Sequence, residues 1–197
     1  DLLESRGLGD VYKRQNLIAV KKPVFPFNKF PNQKIFLSPE MKSTGEVIGL
    51  DKHLGSAYLK AELGSGNTLP NDGNIFISVN QNDKNQIIKI ARDFNELDFK
   101  IIATSGTSQL LNDNGISSRK IFKVGEGRPN IVDAIKNNEI NLIINTPLGE
   151  QSRYDEYKIG RAAIEYKIPV ITTLSGANAA LRAIRFQNKK LSYNNLQ

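Results

Sequence analysis

Short hydroxyl residues surround a glycine directly after an apolar run in the stretch IIATSGTSQLL, Ile101–Leu111. The β-branched run predicts a buried strand, and the residues after it predict the start of a helix. The first N–H groups of a helix have no partner within it and carry a partial positive charge. Thr104, Ser105, Gly106 and Thr107 therefore have the composition of a phosphate-binding turn. Ser and Thr are equally typical of a simple helix cap, which remains the alternative.

Further residues with anion-binding chemistry stand at or near the ends of other apolar runs. Lysine ammonium groups would supply charge, and hydroxyl or amide groups would supply hydrogen bonds to an anion. Each one alone also has an ordinary alternative, as an exposed lysine or a turn residue. These candidates are Asn80, Lys84, Lys123, Asn145, Thr146 and Thr172.

The elements that must position these residues alternate regularly from residue 74 onward. Helices of about 8–14 residues separate five apolar runs, and this alternation is typical of a parallel sheet. Continuously apolar strands indicate that both faces of the sheet are covered, so we predict an α/β fold with helices on both faces of a five-stranded parallel sheet. The predicted strands are Ile75–Val79, Phe99–Ala103, Lys120–Val124, Asn141–Asn145 and Pro169–Thr173.

The predicted sheet brings the candidate residues together. Carboxyl ends of parallel strands meet at one edge, and ligands of open α/β sheets bind outside that edge. Because most of the candidates follow strand ends, we expect them to lie on this rim. Their convergence predicts a site for an anionic small molecule.

Catalysis at the same rim is poorly supported by the residue types present. The chain has no Cys, and its one histidine, His53, precedes the α/β part. A His-based proton relay or a thiolate metal site at the rim is therefore not predicted, nor is any other metal site. The acids near the rim, Glu126, Asp155 and Glu156, have an ordinary role at helix starts.

Net charge and hydropathy limit the partners. The formal net charge of +7 is concentrated in residues 1–34 and in the tail from Arg182 to Lys190, and no aromatic-interleaved basic stripe accompanies it. We therefore expect no nucleic-acid partner. No apolar run approaches a membrane span and no signal peptide is evident, so we expect a cytoplasmic protein with no membrane partner.

The chain divides into three parts. Residues 1–15 lack any helical or strand period and are interpreted as a non-native, adapter-like segment. Residues 16–67 are too short for a core of their own; they predict strands at Leu17–Val20 and Val24–Phe27, a loop and turn over Leu37–Leu50, and a helix at Ser56–Leu63. Residues 68–197 contain the α/β pattern.

Two groups of motifs resemble one family, the glutamine-hydrolysing carbamoyl-phosphate synthetase large subunit. VFPFNKFP and SPEMKSTGEVIGL resemble the end of its second ATP-grasp half. ATSGT, KVGEGRPNIVDAIKNNEINLIINTP, YKIGRAAIEYKIPVITT and SGANAALRAI resemble its C-terminal regulatory domain, which has the methylglyoxal-synthase-like fold. The resemblance covers nearly everything from Ile18 onward.

The resemblance implies a function. The family makes carbamoyl phosphate from bicarbonate, glutamine-derived ammonia and two ATP, for pyrimidine and arginine biosynthesis. It uses ATP, Mg²⁺ or Mn²⁺ and K⁺, and a glutaminase small subunit. By similarity, Lys84, Thr104, Thr107 and Lys123 would hold the phosphate of a UMP or IMP effector, with Asn145 toward the ribose. The ATP-grasp catalytic residues would lie upstream, so the chain alone is expected to be inactive and to hold no cofactor.

Two residues depart from the family pattern. Lys22 stands where ornithine-responsive members have glutamate, although Thr172 would remain from an ornithine site. Pro147 stands where many members have a hydroxyl residue near the ribose. A structural domain with a non-functional effector site is therefore an alternative. A free-standing methylglyoxal-synthase-like lyase and a domain of the bifunctional purine enzyme with IMP cyclohydrolase activity are weaker alternatives, since the first needs acids and a histidine at the rim and the second lacks STGEV and EGRPNI.

Overall fold

The structure is a computed structural model that describes residues 17–27, 29, 41–146 and 151–187 of the 197-residue chain. Side chains are described for all of these except residues 151–153. The adapter-like segment and Pro147 lie outside the described residues, as does most of the motif VFPFNKFP after Phe27.

The described residues of the α/β part form five strands and five helices. Its strands are β3 (Asn74–Val79), β4 (Lys100–Thr104), β5 (Ser118–Ile121), β6 (Leu142–Thr146) and β7 (Val170–Ile171). Its helices are α2 (Lys84–Asn95), α3 (Ser105–Asp113), α4 (Ile131–Lys136), α5 (Gln151–Glu165) and α6 (Leu174–Gln187), and a 3-10 turn, Gln81–Asp83, precedes α2. The predicted alternation is confirmed in type and order.

The five strands form one parallel sheet in the order β5-β4-β3-β6-β7. The central strand β3 pairs with β4 on one side and with β6 on the other. Successive strands are added to one side as far as β5, and the chain then returns to the other side of β3. The strand order thus reverses between β3 and β6, where open α/β sheets have their ligand crevice.

Both faces of the sheet are covered, because alternate side chains of each strand enter different cores. On one face, Ile75 and Ile77 join residues of α2, α3 and α6. On the other face, Phe76 joins residues of α4 and α5. The helix α2 has the helical spacing of apolar residues that predicts a buried face: Ile87, Ala91 and Phe94 are fully buried on one stripe.

The segment before the sheet forms a two-stranded antiparallel ribbon and a helix. β1 (Ile18–Val24) pairs with β2 (Gly45–Asp51), and α1 (Leu54–Gly64) follows. The helix confirms the predicted Ser56–Leu63 helix. Its residue Leu59 is 1% exposed and belongs to the same core as the sheet residues on that face. The segment thus shares the core of the α/β part.

Two predictions in this segment are wrong. The stretch LSPEMKSTGEVIGL was predicted as loop and turn, but its last six residues, GEVIGL, lie in β2. Gly49 serves packing rather than a turn, since a Cβ there would lie 2.0 Å from the carbonyl oxygen of Ala57 in α1. The predicted second strand at Val24–Phe27 is absent, because the ladder ends where Val24 pairs with Gly45. Pro26, which has no N–H to donate, follows in irregular backbone.

The helices α1 and α6 approach so closely that their backbones are in contact. A Cβ on Gly55 of α1 would lie 2.5 Å from the carbonyl oxygen of Arg182 and 2.7 Å from the Phe186 ring. His53, which precedes α1, stacks on Phe186 with the ring centroids 5.4 Å apart. Only glycine fits this crossing without displacing one of the helices.

None of the described helices is long and apolar enough to cross a membrane.

We expect Gly55→Ala to lower the free energy of unfolding by about 2–4 kcal/mol, because the added methyl group overlaps backbone atoms of α6. Gly64→Ala is the matched control at the end of the same helix, where an added Cβ would lie 3.5 Å from the Val47 side chain, an ordinary contact. We expect that change to alter stability by less than about 1 kcal/mol. Urea unfolding of the two variants measures both values, and equal stabilities would contradict the contact.

Candidate functional site

The predicted site residues come together at the carboxyl ends of β3, β4 and β6. Thr104 ends β4, and Asn145 and Thr146 end β6. Asn145 pairs in register with Ser78 of β3, so the ends of the three central strands are adjacent. Thr104, Asn145 and Thr146 are 4%, 8% and 4% exposed, which is unusual for polar side chains. Burial of this kind requires partners from the protein or from a ligand.

Lys84 extends from the start of α2 over the start of α3. Its Nζ lies 3.5 Å from the position that a Cβ on Gly106 would occupy. The absence of a side chain at Gly106 therefore leaves space beside the ammonium group. Among the described residues, no carboxylate forms an ion pair with Lys84. The prediction that Lys84 and the TSGT turn share one site agrees with this geometry.

The alternative that Thr104 simply caps α3 does not agree with the structure. Thr104 occupies the N-cap position, but its side chain makes no capping hydrogen bond to the helix. Its hydroxyl instead lies 3.5 Å from that of Ser78. By contrast, Asn130 at the start of α4 forms a complete capping box with Asp133. The first N–H groups of α3 thus lack the cap that a nearby helix in the same fold has.

Thr146 is held by Asn80, which stands just beyond β3. The Thr146 hydroxyl oxygen accepts from the backbone N–H of Asn80 at 3.3 Å and from its side-chain Nδ2 at 3.2 Å. A hydroxyl has two lone pairs and one hydrogen, so both lone pairs are used. Only its hydrogen remains to be donated, and donation is what an anionic ligand requires.

Lys123 lies farther along the same rim, in the loop after β5. The predicted strand Lys120–Val124 is displaced, since β5 spans Ser118–Ile121 and only Phe122 continues it, through an isolated bridge to Asn130. The carboxylate of Glu126 accepts from the backbone N–H of Lys123 at 3.1 Å. This hydrogen bond uses only the backbone of Lys123, and the Lys123 side chain is exposed.

Asp155 on α5 faces this part of the rim. Burial raises the pKa of Asp155 above its usual value, the positive charge of Lys123 opposes the shift, and Glu126 adds to it. A half-buried carboxyl beside a lysine is a common arrangement in binding sites. The sequence placed Asp155 near the rim but assigned it only the role of a residue at a helix start.

Thr172 lies away from the ends of the three central strands. It is exposed and follows β7, the strand at the far edge of the sheet. Among the described residues, no hydrogen bond joins it to the other candidates. Ser78 was not predicted, although a polar residue inside the apolar run IFISV was a signal that could have identified it.

Lys22, the departure from the family pattern, is engaged within the protein. It forms an ion pair with Glu62 of α1, and Glu62 is only 4% exposed. Asn67 Nδ2 also donates to this carboxylate, at 3.0 Å. Burial, together with the charge of Glu62 and a hydrogen bond to it, raises the pKa of the adjacent Tyr58. No group of three potential metal ligands occurs in the part of the chain that the structure describes.

A comparison with protein-family models agrees with the α/β fold. Residues 86–172 match the family model of the MGS-like domain. The matched residues extend from within α2 to the residue after β7. A solved methylglyoxal synthase from Elizabethkingia anophelis is 14% identical, with a TM-score of 0.47 over 57% of this chain and 79% of that one.

Over about nine tenths of its length, the chain is similar to carbamoyl phosphate synthase large chains. It is 49% identical over 181 residues to the carbamoyl phosphate synthase large chain of Nostoc sp., which covers 91% of this chain and 16% of that one. It is 46% identical over 191 residues to the C-terminal section of the Aquifex aeolicus large chain, covering 94% and 36%. These matches confirm the resemblance inferred from the motifs. The chain spans well under half of the length of these relatives.

We expect Asp155→Asn to stabilise the protein at pH 7, because a raised pKa means that folding disfavours the ionised form. The stabilisation is on the order of 0.5 kcal/mol, or about 1–2 °C in melting temperature. The wild-type penalty is present above the folded-state pKa and disappears as the pH falls toward the unfolded-state pKa. The melting temperatures of the two proteins should therefore differ at pH 7 and converge as the pH approaches 3.8, the ordinary pKa of an aspartate, and a less stable variant at pH 7 would contradict the assignment.

Proposed function

We propose that the rim at the ends of β3, β4 and β6 binds a nucleoside monophosphate effector of the UMP or IMP type. By this proposal the chain is the regulatory C-terminal region of a carbamoyl phosphate synthase large chain. The bound effector would adjust ATP-dependent synthesis of carbamoyl phosphate from bicarbonate and glutamine-derived ammonia. The similarity to such large chains over nine tenths of the chain supports the family, and the geometry of the rim supports the ligand class.

One observation carries the proposal: the Lys84 ammonium faces the start of α3. The amino end of a helix is electropositive, and a lysine beside it is unfavourable when the space between them is empty. The first turn of α3 contains no acidic residue and Thr104 does not cap it. A phosphate bound there would accept hydrogen bonds from the free N–H groups and would neutralise Lys84.

A second set of polar groups supports a ligand larger than phosphate. Asn145 and Thr146 end β6, on the other side of β3 from the phosphate-binding turn. A sugar placed against β6 would find an amide and a hydroxyl hydrogen there. Asp155 and Lys123 extend the polar rim further. This distribution fits a phosphate, a sugar and a base better than it fits a single anion.

A catalytic role for the rim finds less support. The one histidine, His53, stacks on Phe186 near the carboxyl end of α6, whereas the rim lies at the amino end of that helix. A lyase of the methylglyoxal synthase type would also need an acidic residue in the loop after β6 and a histidine at the rim, and the stretch INTPLG, residues 144–149, contains neither. The remaining alternative is a structural domain whose site no longer binds an effector.

The enzyme as a whole would require the upstream part of the large chain, the glutaminase subunit, ATP, Mg²⁺ or Mn²⁺ and K⁺. We expect the present chain alone to form no carbamoyl phosphate from bicarbonate, ammonia and MgATP. An assay of carbamoyl phosphate formation with the isolated chain tests this expectation. Measurable synthesis would show that catalytic groups lie within the chain itself.

Binding is tested by calorimetric titration of the full 197-residue chain with UMP and with IMP. We expect saturable binding that weakens as salt increases, because charge attraction contributes to it. Lys84→Ala should lower the affinity by about 1.5–3 kcal/mol, the value of one charge-assisted phosphate contact, and Lys123→Ala should do the same. The matched controls are Lys89→Ala on the exposed side of α2 and Lys120→Ala on β5, which should bind like the wild type.

The outcomes separate the alternatives. Loss in the Lys84 and Lys123 variants with unchanged controls supports a phosphate site on this rim. Equal losses in all four variants would indicate only a general attraction by positive charge. No binding by a folded wild-type chain would favour the structural domain, and the nucleotide that binds more tightly would identify the effector class.

A further inference from the structure

We infer that Asn80 is a positioning residue of the effector site, an inference that rests on the proposed function. Asn80 would not contact the ligand. Its side chain instead connects the turn that carries Lys84 to the end of β6, and so fixes the distance between the phosphate-binding and sugar-binding sides of the crevice. The sequence had suggested Asn80 as one of the ligand-binding residues at the rim.

The first half of this role is a cap. The Asn80 side-chain Oδ1 accepts from the backbone N–H groups of Asn82 and Asp83, at 2.8 Å and 3.2 Å. These bonds start the 3-10 turn that leads directly into α2 at Lys84. The position of the first residue of α2 therefore depends on Asn80.

The second half is a bridge across the crevice. Asn80 Nδ2 donates to the carbonyl oxygen of Thr146 at 3.2 Å and to its hydroxyl oxygen at 3.2 Å. The backbone N–H of Asn80 also donates to the Thr146 carbonyl at 3.2 Å. Asp83 accepts from the same Nδ2 at 2.7 Å. Both side-chain atoms of Asn80 are thus occupied by the protein, which leaves little capacity for a ligand.

The Asn80 bridge lies at the strand ends, so it holds the two sides of the proposed binding site together. β3 and β6 are neighbours in the sheet, and the ladder between them ends where Val79 pairs with Thr146. The Asn80 bridge extends this connection one residue beyond the end of β3. Lys84, from the β3 side, and Thr146, from the β6 side, are then held as one unit before the ligand arrives, which lowers the ordering cost of binding.

Asn80→Ser separates the two halves of the role. Serine is a good N-cap and can still accept from the N–H groups of the turn, but its side chain is too short to reach Thr146. We expect the affinity for the preferred nucleotide to fall about five- to tenfold, as for the loss of one or two hydrogen bonds. The dependence of affinity on salt should also decrease, because Lys84 is no longer held against the phosphate.

The control is Asn74→Ser, at the opposite end of the same strand. Asn74 Nδ2 donates to the carbonyl oxygen of Glu139 at 2.6 Å, and so ties β3 to the start of β6 far from the rim. This variant loses a comparable hydrogen bond between the same parts of the chain. We expect its nucleotide affinity to equal that of the wild type, although its melting temperature falls.

A double-mutant cycle identifies the residue through which Asn80 acts. If Asn80 works by placing Lys84, then adding Asn80→Ser to Lys84→Ala should weaken binding by less than twofold beyond the Lys84 change alone. Asn80→Asp is the second variant should the serine variant fold poorly. It keeps the acceptor but places a carboxylate beside Asp83 and the Thr146 carbonyl, so it should bind more weakly than the serine variant and recover affinity as the pH is lowered.

The results distinguish this inference from the proposed function. If the wild-type chain binds neither UMP nor IMP, the proposed function fails and the inference fails with it. If the wild type binds but Asn80→Ser binds as tightly, or Asn74→Ser loses as much affinity, or the cycle is additive, the inference alone is overturned. Selective and non-additive loss at Asn80 supports it.

Discussion

The pairing of β3 with both β4 and β6 is the interaction on which the rest of the structure depends. Because β3 is central, its alternate side chains enter both cores, and the strands that follow it are divided between its two sides. The strand order therefore reverses between β3 and β6, which is where open α/β sheets have their ligand crevice. Asn80, which follows β3 directly, lies at this point.

The polar groups at the rim share one electrostatic character. Three groups there can donate a hydrogen bond or attract an anion, and none of them can accept a hydrogen bond. They are the uncapped start of α3, the Lys84 ammonium over it, and the Thr146 hydroxyl, whose lone pairs are both occupied. Such an arrangement costs stability in an empty protein, because like charges and free N–H groups are brought together. Sites that bind anions tolerate that cost because the ligand removes it.

The N-terminal segment is joined to the α/β part by backbone contact rather than by a flexible linker. Gly55 lets α1 touch α6, and Gly49 lets α1 touch β2, so the ribbon, α1 and α6 pack without intervening side chains. The amino end of α6 follows the rim directly, through Thr172 and Thr173. On the other side of α1, Lys22 neutralises the buried Glu62. The residue at position 22, which was predicted to depart from the family pattern, thus has an internal structural role in this chain.

The sequence by itself determined the alternation of strands and helices, the parallel sheet and the membership of Lys84, Thr104 and Thr146 in one rim, because these follow from local periodicity and from the general rule for strand ends. It did not reveal β2, since Gly45 and Gly49 weaken the strand signal, and only the approach of α1 explains why a glycine stands at position 49. It could not separate a ligand-binding Asn80 from a bridging one, or a capping Thr104 from an uncapped helix. Those distinctions depend on which partner lies within hydrogen-bond distance across β3 and β6, and only the tertiary structure brings residues 66 positions apart into contact.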